Sequence, residues 1–177
     1  PTPDSENNRH NIGFKMIDAI NQKFSLSKQK PKFKGLLTTG NIDEKKIYAI
    51  KPLTFMNNSG ICIREIIEYF KIEPENIIVF HDDLDIDFGK IKAKFGGSSA
   101  GHNGIESIDK FIGKEYSRVR IGIGKPKMKT NVSDHVLKDF DDDEILQLNE
   151  ITNNIIHSIS ILIDKKLDLF SSTVNNK

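Results

Sequence analysis

The sequence is short of cysteine, of long apolar runs and of net charge, and each shortage narrows what the chain can be. Cys62 is the single cysteine among 177 residues, so no internal disulfide can form and a reducing compartment is expected. No stretch reaches the roughly 20 apolar residues of a membrane-spanning helix, and no basic start followed by an apolar middle reads as a secretory signal. Internal repeats and low-complexity linkers are missing as well. Hydrophobic residues at 37% and charged residues at 29% suit one soluble domain with a sizeable core. The expectation is therefore a single domain over 1–177, frayed at 170–177, in the cytoplasm and away from membranes.

Several reactive motifs are missing too. No serine sits in G-x-S-x-G, and no cysteine–histidine cluster has zinc spacing. The glycine- and serine-rich segment Gly96–Gly104 lacks both the Walker spacing with its lysine and the dinucleotide G-x-G-x-x-G pattern. It reads better as a flexible rim that lets a substrate approach the backbone. Cys62, inside an apolar helical stretch, reads as a small core residue. No cofactor and no metal are expected.

The net charge of +1 conceals a segregation. Tyr116–Ser133 carries five positive residues (Arg118, Arg120, Lys125, Lys127, Lys129) and no acid, whereas Asp134–Glu150 carries seven acids and only Lys138. Such segregation builds a local positive field on a nearly neutral protein, although a solvated basic loop has the same appearance.

Apolar spacing predicts a helix over Asn11–Lys23 (Ile12, Met16, Ile20, Phe24). Strands are expected at Gly35–Thr39 and Lys46–Ile50, with a turn at Gly40-Asn41. A second helix carries Ile63, Ile66, Ile67 and Phe70 and closes before Pro74. Ile77–Phe80 reads as a strand covered on both faces. Ile91, Ala93 and Phe95 alternate with lysines in a half-buried strand with one basic face. Ile105, Ile108, Phe111 and Ile112 give a third helix, and Val119, Ile121 and Ile123 another alternating strand. A last helix begins at Asp141–Glu144, and its apolar stripe runs to Leu162. Helices interleaved with strands make an α/β domain, a twisted mixed β-sheet surrounded by helices.

Asp82-Asp83-Leu84-Asp85 follows the buried strand, where α/β folds bind ligands. These acids could form a polar turn, hold a metal ion, or orient a histidine. Of the five histidines, His135 and His157 read as surface residues and His81 as structural. His102 and His10 each stand at a helix start. There the helix dipole opposes imidazole protonation and a nearby aspartate favours it, a competition that can poise a general base near neutrality. Asn57 and Asn103 also stand at helix starts. Each suits an N-cap, and each amide could equally donate to an oxyanion or hold a water.

The blocks Arg9-His10-Asn11-Ile12-Gly13-Phe14, Lys51-Pro52-Leu53-Thr54-Phe55-Met56-Asn57-Asn58-Ser59-Gly60, His81-Asp82-Asp83-Leu84-Asp85, Gly101-His102-Asn103-Gly104 and Arg118-Val119-Arg120-Ile121-Gly122-Ile123-Gly124 occur in this order. Together they resemble the bacterial peptidyl-tRNA hydrolase family, over nearly the whole chain. The resemblance implies hydrolysis of the ester between peptide and tRNA, with His10 as catalytic base and Asp82 as its orienting partner. It implies that Asn57, Asn103, His102 and Phe55 face the substrate, and that Lys94, Arg120 and Lys129 meet tRNA phosphates. A monomer without an obligatory protein partner is expected. The family opens on an apolar strand and a Gly-x-Gly-Asn-Pro-like turn. Pro1 matches the proline of that turn, so this central strand and one further cleft asparagine are expected to be absent from the sequence. Ser5 stands where many members carry an aromatic residue. Two other readings compete: an RNA-binding protein on the same fold without catalysis, and a metal-dependent phosphatase built on Asp82, Asp83 and Asp85.

Overall fold

Helix α1 (Ile12–Lys23) forms where the spacing predicts, with Ile12, Met16 and Ile20 buried along one stripe. A 3-10 turn, Arg9–Asn11, leads into it, and Asn8 caps that turn by accepting a hydrogen bond from the Asn11 N–H at 3.1 Å. The structure is a computed structural model and describes residues 7–127 and 131–176. Pro1, Ser5 and Lys129 lie outside the described residues.

The strands among the described residues form two three-stranded sheets. The first is an antiparallel meander of β1 (Lys30–Lys32), β2 (Gly35–Ile42) and β3 (Lys45–Pro52). The second is the mixed sheet, with β4 (Ile78–Asp83) parallel to β6 (Ser117–Gly122) and β5 (Ile91–Phe95) antiparallel on the far side of β6. The β2–β3 hairpin is longer than expected. Its turn falls at Asp43-Glu44, both at positive φ, and not at Gly40-Asn41. Gly40 stays inside the strand, paired with Ile47, and Leu26 lies against it where a Cβ would stand.

Helix α2 (Ser59–Phe70) and helix α3 (Asn103–Ile112) cross where Gly60 allows close approach, its N–H donating to Ser107 Oγ at 2.9 Å. The apolar run of β4 is covered less fully than expected. Ile78, Val79 and Phe80 are half-buried and line a cavity of about 750 Å³ together with Ile47, Ile50 and Ile66.

The C-terminal stripe is not one helix. After α4 (Val132–Leu137), helix α5 (Asp142–His157) starts at a reciprocal cap between Asp141 and Glu144. The chain breaks at buried Ser158, resumes as α6 (Ile159–Ile163), turns at Lys165 with positive φ, and ends in α7 (Leu167–Asn175). The tail expected to fray is thus anchored as far as Asn175. Phe170 and Val174 are buried, and Ser171 and Asn175 accept the β5 N–H groups of Ala93 and Ile91 at 2.8 and 3.0 Å. Helix side chains close an edge that would otherwise stand unpaired.

Candidate active site

The site begins with a close approach of backbones. A Cβ on Gly13 would collide with the Phe80 carbonyl, so the first turn of α1 presses directly on β4. Three residues before Gly13 stands His10, and two residues after Phe80 stands Asp82. The contact brings them together: His10 Nδ1 lies 2.9 and 3.0 Å from the two Asp82 carboxylate oxygens. An ionised carboxylate only accepts, so the neutral imidazole carries its proton on Nδ1 and its lone pair on Nε2. Nε2 meets no hydrogen-bonding partner among the described residues, and the side chain is 18% exposed against 4% for Asp82.

A second histidine reaches the same carboxylate. His102 Nε2 lies 2.8 Å from Asp82 Oδ1. Its other nitrogen is also committed, because His102 is the N-cap of α3 and Nδ1 accepts the Gly104 and Ile105 N–H groups at 3.1 and 3.2 Å. Burial alone would push the Asp82 carboxyl up, but the hydrogen bonds from His10 and His102 outweigh it and hold the group well below the usual carboxylate range. His81 is buried beside them, donating from Nδ1 to the Asp82 carbonyl at 2.8 Å and leaving Nε2 without a partner. Burial, reinforced by neighbouring His102, pulls its imidazole down to about 3, so it stays neutral.

The three acids that the phosphatase reading needs together are spent separately. Asp83 takes Arg120 Nε at 2.8 Å and the Asp85 N–H at 2.9 Å, and Asp85 pairs with Lys125 at 3.3 Å. They do not converge on a cation, which argues against the phosphatase reading. His10, Asp82 and His102 offer ligand atoms within 4.8 Å of one another. The tautomers oppose metal binding there. His102 Nδ1 uses its lone pair on backbone N–H groups, so Nε2 carries the proton and has no pair for a metal. Burial pushes the Cys62 thiol up to about 12, which removes it as a nucleophile.

Asn57 lies in the 3-10 turn Met56–Asn58 and Asn103 at the first residue of α3. Neither caps a helix: Asn58 precedes α2 without a side-chain cap, and His102 caps α3. Both asparagines are exposed and their side-chain amides meet no hydrogen-bonding partner among the described residues, so the amides are available. The Met56 sulfur sits against Gly104, placing the turn beside the start of α3. Phe55 is 71% exposed at the same rim.

The basic region is thinner than its sequence promises. Lys94 is exposed on β5, and Arg120 is paired with Asp83. Arg118, which sequence reasoning left without a role, is buried and donates to Gly96 O at 3.0 and 2.7 Å and to Ser98 O at 3.0 Å. It clamps the start of the glycine-rich segment, which is therefore less free than its composition suggests. Strand alternation puts Arg118 and Arg120 on one face but carries no sign of which the loop covers.

Residues 1–177 match the family model described as peptidyl-tRNA hydrolase. The chain is 82% identical over 177 residues to a peptidyl-tRNA hydrolase of Pelagibacter ubique, covering 100% of this chain and 95% of that protein. It is 45% identical over 168 residues to a peptidyl-tRNA hydrolase of Ehrlichia canis, covering 95% of this chain and 86% of the relative. A crystal structure of peptidyl-tRNA hydrolase from Acinetobacter baumannii matches with a TM-score of 0.91 at 31% identity, over 99% of this chain and 90% of that one.

Proposed function

The chain belongs to the peptidyl-tRNA hydrolase family, and on that footing we propose that His10 is the general base of its reaction, oriented by Asp82. The reaction is hydrolysis of peptidyl-tRNA, which frees the tRNA for reuse. The observation that carries the assignment is the bond of His10 Nδ1 to both Asp82 oxygens at 2.9 and 3.0 Å, which leaves Nε2 facing outward with its lone pair.

In this reading Nε2 takes a proton from water as the water oxygen attacks the ester carbonyl carbon. Asp82, held ionised, stabilises the imidazolium that forms. Collapse of the tetrahedral intermediate breaks the bond to the ribose oxygen, which receives the proton back from His10. The activated ester needs no covalent enzyme intermediate, and general-base help of about 10²–10⁴ in rate is an adequate share. The unspent amides of Asn57 and Asn103 supply donors for the oxyanion and acceptors for the water. Exposed Phe55 offers a flat apolar surface at the rim for a base or a peptide side chain.

Lys94, Arg120 and Lys129 serve the tRNA phosphates, giving affinity without reading sequence, as a substrate class comprising every tRNA requires. Exposure of Lys94 supports its part; Arg120 shares its charge with Asp83, and Lys129 lies outside the described residues. No helix among the described residues is long and apolar enough to cross a membrane. We place the enzyme in the cytoplasm, acting as a monomer, since one chain supplies both His10 and Asp82. The intact pair favours catalysis over RNA binding alone.

The test is hydrolysis of an N-acetylated aminoacyl-tRNA by the protein, its His10→Ala variant and chelator-treated protein. Loss of activity in the variant and none on chelation is expected; full activity of His10→Ala sinks the assignment. Lys94→Ala should raise KM and flatten the salt dependence of binding.

A further inference from the structure

His102 stands beside the proposed base and has no free nitrogen to offer a substrate. Nδ1 is taken by the N–H groups of Gly104 and Ile105, and Nε2 by Asp82 Oδ1 at 2.8 Å. We propose that His102 is a positioning residue for the reaction: it holds the Asp82 carboxylate in the one orientation that aims His10, and it ties that orientation to the start of α3.

Asp82 is a short side chain at the buried end of β4, 4% exposed, and its two oxygens must serve His10 and His102 at once. Oδ1 is shared, with His10 Nδ1 at 2.9 Å and His102 Nε2 at 2.8 Å, while Oδ2 serves His10 alone at 3.0 Å among the histidines. Without the second donor the carboxylate could rotate about its Cβ–Cγ bond and still satisfy His10 through one oxygen, leaving the imidazole free to tilt. With it, the plane of the carboxylate is set by two donors from different elements.

The order in which His102 is fixed matters. Two backbone N–H groups at a helix start point one way, and the lone pair meeting them dictates which nitrogen keeps the proton. His102 is thereby made a donor toward Asp82 by the helix. The rings of His10 and His102 lie 4.9 Å apart, so a displaced α3 start would be felt at His10 through one shared carboxylate. The glycine-rich segment leading to His102 is in turn held by Arg118 at Gly96 and Ser98.

This inference rests on His10 being the base, and the variants keep the two apart. His102→Asn preserves a side-chain oxygen able to cap α3 but is too short to reach Asp82. His102→Gln can present an N–H close to the position of Nε2. Loss of one hydrogen bond to a buried charge predicts that His102→Asn lowers kcat about tenfold with KM for N-acetylated aminoacyl-tRNA unchanged. It also predicts that the acid limb of the pH–rate profile moves to higher pH, because Asp82 then offers its undivided charge to His10. His102→Gln should restore most of kcat. A changed KM with normal kcat would make His102 a substrate contact and overturn the proposal, as would an Asn variant with the parent's kcat and pH profile. Nitrogen-detected NMR of the parent gives a readout independent of activity. His102 should show the Nε2–H tautomer, and an Nδ1–H tautomer refutes the scheme. Should His10→Ala retain full activity, the base assignment falls by itself, whereas a dead His10→Ala beside a fully active His102→Asn removes only the role given to His102.

Discussion

Replacing Gly13 with alanine tests whether the contact between α1 and β4 sets the active-site geometry. The added Cβ would overlap the Phe80 carbonyl, a backbone atom inside a paired strand that cannot turn aside. To regain van der Waals separation, the first turn of α1 has to withdraw on the order of 1 Å. His10 sits on the 3-10 turn that leads directly into α1 and is carried with it, and Asp82 on the strand that does not move. Their 2.9 and 3.0 Å bonds would stretch past hydrogen-bonding range or be kept by tilting the imidazole. A misplacement of that size is expected to cost about 10²-fold in kcat/KM. Stability should suffer less. Overpacking costs about 1–3 kcal/mol, and the better helix propensity of alanine returns up to about 1 kcal/mol, so the variant stays folded. The assay is kcat/KM on N-acetylated aminoacyl-tRNA beside a thermal melt of the same sample. A variant with the parent's activity would refute the claim that this contact positions the base. Loss of folding together with activity would make the contact structural only.

Asp82→Asn should lower kcat on the order of 10³-fold with tRNA affinity kept, since the amide cannot hold the Nδ1–H tautomer or stabilise the imidazolium; single-turnover hydrolysis checks it. Stability should fall with acidity in two windows. His81 is held at about 3 against an ordinary 6.5, so below 6.5 the unfolded chain binds a proton that the fold refuses, costing about 1 kcal/mol per pH unit. Asp82, held below the carboxylate range, adds stability present above about pH 4 and lost as pH falls further. Urea melts of His81→Asn should lack the first slope and keep the second; an unchanged slope between pH 6.5 and 4.5 removes the role given to His81. Arg118→Lys cannot hold both the Gly96 and Ser98 carbonyls, so hydrogen exchange should speed up at residues 96–101 and nowhere in β4.

Much of this was legible in the sequence, for identifiable reasons. α1, α2, α3 and the alternating strands were readable because each buries one regular stripe, and period alone reports it. The hairpin turn was misplaced because Gly40-Asn41 looks like a turn in isolation, whereas its glycine answers to the packing of Leu26 and the pair continues the ladder with Ile47 and Lys46. The C-terminal stripe kept its apolar period across Ser158 as far as Leu162, so the break at Ser158 left no mark in the hydrophobicity. Anchoring of α7 depends on Ser171 and Asn175 meeting the edge of β5, a long-range pairing that polar residues near a chain end do not announce. Asn57 and Asn103 were readable as residues at helix starts. That neither caps its helix could be learned only from where the flanking residues fall.

The choice of base shows where sequence reasoning stops. His10 and His102 both precede helices, both are polar residues at the same aspartate, and nothing in their local sequence ranks them. What separates them is the nitrogen that does not face Asp82. In His102 that atom meets the first N–H groups of α3 at 3.1 and 3.2 Å, so its lone pair is consumed by the fold. In His10 the corresponding atom meets no partner among the described residues, and the 3-10 turn that carries it is capped by Asn8 and not by the ring. The fold thus leaves one histidine open for chemistry and binds the other to structure. An oxygen-bearing side chain placed to cap α3 in place of His102 leaves only His10 on Asp82, whereas removing the Asn8 side chain leaves the Asn11 N–H its bond to the Asn8 backbone carbonyl.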